Sequence, residues 1–214
     1  MPRNLKLNER MRAESRQDIL AAAGVLFAQK GFFNVPIAEI ARQAGMSPGN
    51  IYWHFSSKED LLKVIVGDFF EAYEQMLVEA EAFPGDARQK LNHLVELQLA
   101  LFGKLGANFS IYMSILGHGG GAFLKTLGFD TVKIGKRYHR HLSRILVGAM
   151  QAGVIQRQSP QFLSVLFFSL FNGLILTYGD DWRRVPPAII TQAVLRLLGC
   201  RDEPAAEGPR QNKR

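Results

Sequence analysis

The stretch IAEIARQAGMSPGNIYWHFSSKEDLL, Ile37 to Leu62, reads as two short helices joined by a tight turn and followed by the start of a third. Ile37, Ile40, Ala41 and Ala44 recur at i, i+3, i+4 and i+7, the spacing of one inward helix face. Gly45 comes next, where the residue after a helix end takes positive φ. Ser47 suits an N-cap and Pro48 the first helical position, whose N–H would lack a partner in any case. Ile51 and Phe55 stand one turn apart and face inward, which leaves Gly49, Asn50, Tyr52, Trp53 and His54 facing out. Ser56 and Ser57 end this helix. Ser57 with Asp60 three residues on matches a capping box ahead of the apolar pair Leu61 and Leu62. An outward set of Tyr, Trp, His and Asn gives a merely solvated helix nothing. It suits the second helix of a helix-turn-helix, which enters the major groove of duplex DNA. Gly49 permits close backbone approach, and the helix N-terminus favours a phosphate.

Upstream, Ile19, Leu20, Ala23, Leu26 and Phe27 form one apolar stripe of a helix expected from about Met11 to Lys30 and stopped by Gly31. Arg16, on its outer early part, either reaches a phosphate or is a solvated surface arginine. The segments ILAAAGVLFAQKGF (Ile19 to Phe32) and Ile37 to Leu62 together resemble the DNA-binding domain of the tetracycline-repressor (TetR) family. The resemblance rests on the spacing of Gly31-Phe32, Ile40-Ala41, Ala44-Gly45, Tyr52, His54-Phe55, Lys58 and Leu61-Leu62. It departs at Val35-Pro36, where the family often carries a hydroxyl cap. The resemblance implies that Tyr52, His54 and Lys58 touch the phosphate backbone. It places Ser47, Pro48, Gly49, Asn50 and Trp53 within reach of base edges or thymine methyls, and Arg42 and Gln43 beside the backbone.

The whole chain has 214 residues and is 47% hydrophobic, enough for one large domain or two unequal ones. No window approaches twenty uninterrupted apolar residues, so no membrane span is expected. The start, MPRNLKLNER, lacks an apolar signal core. The single cysteine, Cys200, leaves no internal disulfide and fits a reducing cytoplasm. Net charge is +7, which suits a polyanion. Residues 1–60, however, hold 8 Lys/Arg against 6 Asp/Glu, so most of the excess lies beyond the helix-turn-helix. The case for DNA therefore rests on which residues face out.

Periodicity predicts an all-α chain: a basic, flexible N-terminal arm (1–12), a helix-turn-helix domain (13–57), a larger helical domain (58–200) and a loose tail (201–214). Helices are expected over about Lys58 to Phe83, Asp86 to Leu105, Asn108 to Leu116, Thr131 to Ala152, Gln161 to Tyr178 and Val185 to Leu198. Gly117 to Gly121, GHGGG, follows no strand and lacks a P-loop lysine, so it reads as a flexible connector. Lys133, Lys136, Arg137, Arg140 and Arg144 share one helix face, either solvated or turned to an anionic ligand or an acidic partner. His139 and His141 lie on different faces and make a poor metal pair. No catalytic motif, cofactor fingerprint or metal set emerges, so an enzyme is not expected. The last two apolar helices, by resemblance, pair with those of a second subunit in a four-helix interface. The resemblance also implies a small-molecule effector bound in the larger domain. Its aromatic supply suggests a lipophilic or aromatic ligand among Phe69, Tyr73, Phe102, Tyr112, His118, Phe171 and Asn172. The expectation is a homodimeric regulator, a repressor released from a palindromic operator. The rivals are an activator or architectural protein of the same fold without a ligand, and a helical enzyme or lipid-binding protein with a vestigial head.

Overall fold

The computed structural model describes residues 2–179 and 181–200, with the side chains of residues 2–6 left aside. The segment 201–214, expected to be a loose tail, lies outside the described residues. The described chain is helical throughout, with α1 Pro2–Lys30, α2 Ile37–Gln43, α3 Pro48–His54, α4 Lys58–Ala82, α5 Ala87–Gly117, α6 Gly121–Thr126, α7 Thr131–Gln151, α8 Pro160–Tyr178 and α9 Pro187–Leu197. Backbone contacts separate two compact units. One comprises Met1–Gln75 with Leu101–Arg137, the other Met76–Ala100 with Tyr138–Arg214.

Several elements differ from the sequence expectation. α1 begins at Pro2, so the segment read as a flexible arm is helical. The helices expected on either side of residue 106 are one element, α5, bent at Leu105 (φ −123°, ψ 17°). The GHGGG connector supplies the end of α5, a turn with Gly119 at φ 75°, and the first residue of α6, an element the periodicity did not signal. α5 and α8 are also long and apolar enough, by length and composition, to cross a membrane.

In the first unit α1 packs on α2, and α2 on α3. The expected stripe of α1 is buried in full, and Ile40, Ala41, Ile51, Phe55, Leu61 and Leu62 complete the core beneath it. The turn between α2 and α3 is a Schellman motif. Met46 N–H donates to Ala41 O (2.8 Å) and Gly45 N–H to Arg42 O (3.2 Å), with Gly45 at φ 67°. Ser47 caps α3 by accepting from Asn50 N–H (3.3 Å), and Pro48 occupies its first turn. The capping box of α4 is modified. Ser57 Oγ accepts from Asp60 N–H (3.1 Å), while the Asp60 carboxylate accepts from the Ser56 hydroxyl. α2 has no side-chain cap, because Pro36 holds its N-cap position. Glu39 in its first turn complements the helix dipole and pairs with Lys30 (2.5 Å).

Residues Phe32–Asn34 form a 3-10 turn between α1 and α2, in which Phe32 O accepts from Val35 N–H (3.4 Å). Lys58, at the start of α4, supplies further donors. Its Nζ donates to Phe32 O (2.9 Å) and Val35 O (3.0 Å), with a longer approach to Phe33 O (3.5 Å). The ammonium also lies 4.5 Å from the centroid of the Phe32 ring. Farther along α4, Phe69, Phe70 and Tyr73 pack against Phe102, Phe109 and Tyr112 of α5, and Phe129 sits over Gly67.

The second unit is built on Leu77, Leu91, Leu94, Leu142, Leu146, Phe167 and Phe171. Polar links join its helices. His141 Nδ1 meets Glu81 Oε2 at 2.6 Å, and Arg144 reaches Glu81 Oε1 at 3.2 Å. Burial opposes the Glu81 charge, but these two donors prevail and hold its carboxyl below the usual range. His139 Nδ1 meets the fully buried Ser164 hydroxyl at 2.6 Å, tying α7 to α8. Burial holds the His139 imidazole below its ordinary value of 6.5. Cys200 closes α9 in an isolated bridge with Ile155, and burial raises its thiol.

Two predictions follow from these contacts. Lys58→Met should lower stability by about 1–3 kcal/mol, since it removes a charged donor from Phe32 O and strands the Val35 carbonyl. Chemical unfolding measures this, and an unchanged midpoint would refute the clamp. Because the His139 pKa is depressed in the folded state, the unfolded chain binds more protons as the pH falls below about 6.5. Stability should be full above that pH and decline below it, levelling off under the folded-state pKa. His139→Gln should make the decline shallower in thermal unfolding between about pH 8 and 5.

Candidate nucleic-acid interface

The reading face of α3 is set by its two inward residues. Ile51 is fully buried and Phe55 nearly so. With those directions fixed, Ser47, Pro48, Gly49, Asn50, Tyr52 and Trp53 are exposed, Tyr52 by 57% and Trp53 by 61%, and His54 is half-buried. Two aromatic residues left this open on a seven-residue helix contribute little to the core.

α1 lies beside this face and brings cations to it. The Arg12 guanidinium sits 4.5 Å from the centre of the Trp53 ring, and Arg16, one turn later, sits 5.0 Å from that of Phe55. The Trp53 indole meets the His54 imidazole edge-to-face at 4.6 Å. Ser15, Met46, Asn50, Trp53 and His54 line a shallow notch of about 560 Å³. Burial first, then the nearby Arg12 and Arg16 charges, hold the His54 imidazole below its ordinary value. Arg42 and Gln43 are exposed at the end of α2, Arg42 with a loose contact to Glu39 at 3.6 Å.

The structure thus brings Asn50, Trp53 and His54 together beside Ser15 and Met46, with Arg12 over the Trp53 ring and Arg16 over that of Phe55; Tyr52 is exposed on its own, and Ser47, Pro48 and Gly49 lie at the N-terminus of α3. Lys58 is the exception to its expected role. Its ammonium is directed at the carbonyls of the 3-10 turn, so its first partner is the fold. Sequence reasoning missed Arg12, Ser15 and Met46. Arg12 and Arg16 are spaced i, i+4, a shared face already implied by a helix starting near Met11.

The residues expected to hold an effector divide between the units. Phe69, Tyr73 and Phe102 are buried against other rings in the first, and Tyr112 is half-buried there. Burial raises the Tyr112 phenol. His118, just past the end of α5, is exposed and bonds Ser114 O of that helix (2.7 Å), so it does not join that cluster. Phe171 is packed on Phe167 in the second unit, and Asn172 beside it is half-buried. The basic face of α7 is largely committed: Lys133 to Asp130 (3.5 Å), Arg137 to Glu74 (2.9 Å) and Arg144 to Glu81. Across α8 and α9 runs an apolar groove of about 570 Å³, lined by Leu170, Leu174, Tyr178, Ile189, Ala193 and Leu197 among others.

Comparison with known proteins bears on this geometry. Residues 19–65 match the profile of bacterial regulatory proteins, tetR family. The HTH-type transcriptional regulator AcrR of Shigella flexneri is 40% identical over 92 residues, which is 39% of this chain and 41% of that protein. This chain therefore spans less than half the length of that relative. Among solved structures, a tetR-family bacterial regulatory protein from Rhodococcus RHA1 superposes with a TM-score of 0.68 at 23% identity, covering 88% of this chain and 98% of the other. AibR, solved in complex with isovaleryl coenzyme A and operator DNA, superposes with a TM-score of 0.65 at 18% identity, over 86% and 97% of the two chains. These superpositions establish a shared fold. The family likeness is thus carried by the N-terminal segment, residues 19–65, which matches the tetR-family regulatory-protein domain.

Proposed function

We propose that this protein is a homodimeric, cytoplasmic transcriptional regulator, a repressor, that binds a palindromic duplex through α3 and leaves it on binding a small apolar or aromatic molecule. The observation that carries the reading is the exposed Tyr52–Trp53 pair, flanked by Arg12, Arg16 and His54, on a helix whose inward residues are fully used in the core. Trp53 and Asn50 address base edges. Tyr52 and His54 donate to phosphates, and Arg16 and Arg42 add charge that is independent of sequence. Lys58 acts indirectly, by holding the turn between α1 and α2.

The α8–α9 groove is proposed as the seat of the second subunit. Phe162, Leu176, Ile189 and Leu197 are exposed apolar side chains on these two helices, and a self-complementary apolar face closes into a two-fold dimer. Two copies of α3 would then address successive major grooves. The neighbour bound to isovaleryl coenzyme A and operator DNA supports an effector-released reading in outline. The effector is assigned here by chemistry alone. An apolar or aromatic molecule suits the ring-rich half of the first unit, and it acts only through differential affinity for two conformations. A same-fold activator without a ligand is the second reading. Failure of any apolar compound to release the duplex would favour it.

Selection of duplexes from a random pool should enrich a palindrome with half-sites one or more helical turns apart; recovery of no common sequence would refute the reading. Phosphates near His54 raise its pKa on binding, so the complex takes up a proton. Affinity should therefore rise as the pH falls from the bound-state pKa toward the depressed free-state pKa, and should be flat above that window. His54→Gln should abolish the slope in anisotropy titrations. Ile189→Glu with Leu197→Glu should convert a dimer to a monomer in sedimentation velocity, whereas a wild-type monomer at micromolar concentration would refute the interface.

A further inference from the structure

We infer that Arg12 is a positioning residue for the reading face of α3, holding the Trp53 indole in one orientation; the inference rests on the DNA-binding reading above. Trp53 is 61% exposed, so packing alone does not fix its ring. Two contacts do. The Arg12 guanidinium lies 4.5 Å from the ring centre, within cation–π range, and the His54 imidazole meets the indole nearly perpendicularly, at 83°. Arg10, on the same helix, is drawn instead to Glu14 (2.9 Å). Arg12 lies on α1 one turn ahead of Arg16 and its Phe55 contact, so the two guanidiniums share a face of that helix. A side chain that enters the groove already oriented loses less rotational freedom on binding, and that gain is realised only where its base contacts are made. A stacked guanidinium keeps its in-plane N–H groups, so direct phosphate contact is the competing role, and the two differ in salt dependence.

The test uses the full chain labelled with 5-fluorotryptophan, whose two tryptophans, Trp53 and Trp182, give two fluorine resonances that Trp53→Phe assigns. Arg12→Ala should move the Trp53 resonance and leave that of Trp182 in place, and Arg12→Lys should restore part of the change. The same variants are titrated against the duplex enriched by selection and a scrambled duplex of equal composition, at several salt concentrations. Arg12→Ala should lower the ratio of the two affinities by about two- to fivefold, the factor of one exposed cation–π contact, with an unchanged salt slope. In a Trp53→Ala background it should add nothing. An unmoved Trp53 resonance overturns the inference. So does equal loss on both duplexes with a salt slope shallower by about one, which makes Arg12 a phosphate contact. A wild-type protein that does not distinguish the duplexes overturns the DNA-binding reading instead, and the fluorine spectrum then decides whether Arg12 holds the indole.

Discussion

Burial of Ile51 and Phe55 is the constraint on which the N-terminal unit depends. A seven-residue helix is far below the length that sustains itself in water. Its Ser47 cap contributes about 1 kcal/mol, too little to hold it alone. What holds α3 is the insertion of these two side chains beneath α1 and α2, with Gly45 turning the chain so that they point inward. Since two anchors suffice, every other position on the helix is free to meet something else. The same burial that makes the helix stable also leaves Tyr52 and Trp53 in water.

Charge in this unit serves the fold before it serves a partner. Lys58 illustrates the point. A lysine at the start of a helix is a natural phosphate contact in pattern terms, yet here its ammonium satisfies carbonyls of the 3-10 turn. Phe32 O is also paired within the turn by Val35 N–H, so Lys58 adds to that bond and reaches on to the Val35 carbonyl. The basic face of α7 behaves similarly, with Arg137 and Arg144 bound to Glu74 and Glu81 of α4. Arg12 differs, because it rests on the exposed Trp53 ring and keeps its hydrogen-bonding groups available, whereas Arg16 is half-buried over Phe55 and within electrostatic reach of Asp68.

Two kinds of apolar surface coexist in the remainder of the chain. The rings of Phe69, Tyr73, Phe102 and Phe109 are covered by one another. Along α8 and α9 the opposite holds: Phe162, Leu176, Ile189 and Leu197 stay open. Exposed apolar area of that extent on adjacent helices costs free energy in water unless another surface meets it. That asymmetry sets the α8–α9 face apart as one suited to association.

The all-α class, the helix-turn-helix and the inward and outward faces of α3 were legible in the sequence because local spacing determines them. Ile40 and Ala41, Gly45, Ser47 and Pro48 act within one or two turns of themselves, and the structure places each as that spacing requires. Helix bounds were less legible where no apolar period marks them, as in residues 2–10 of α1 and in α6. The expected break in α5 was seen as a gap between two helices, since a bend and a loop interrupt the pattern alike. What only the tertiary structure decided is the partner of each long polar or aromatic side chain. Lys58 finds carbonyls twenty-three and more residues away, His141 finds Glu81, and Arg12 finds Trp53. Such side chains reach several ångströms from their backbone, so their chemistry depends on which distant element lies within reach, and no local period encodes that.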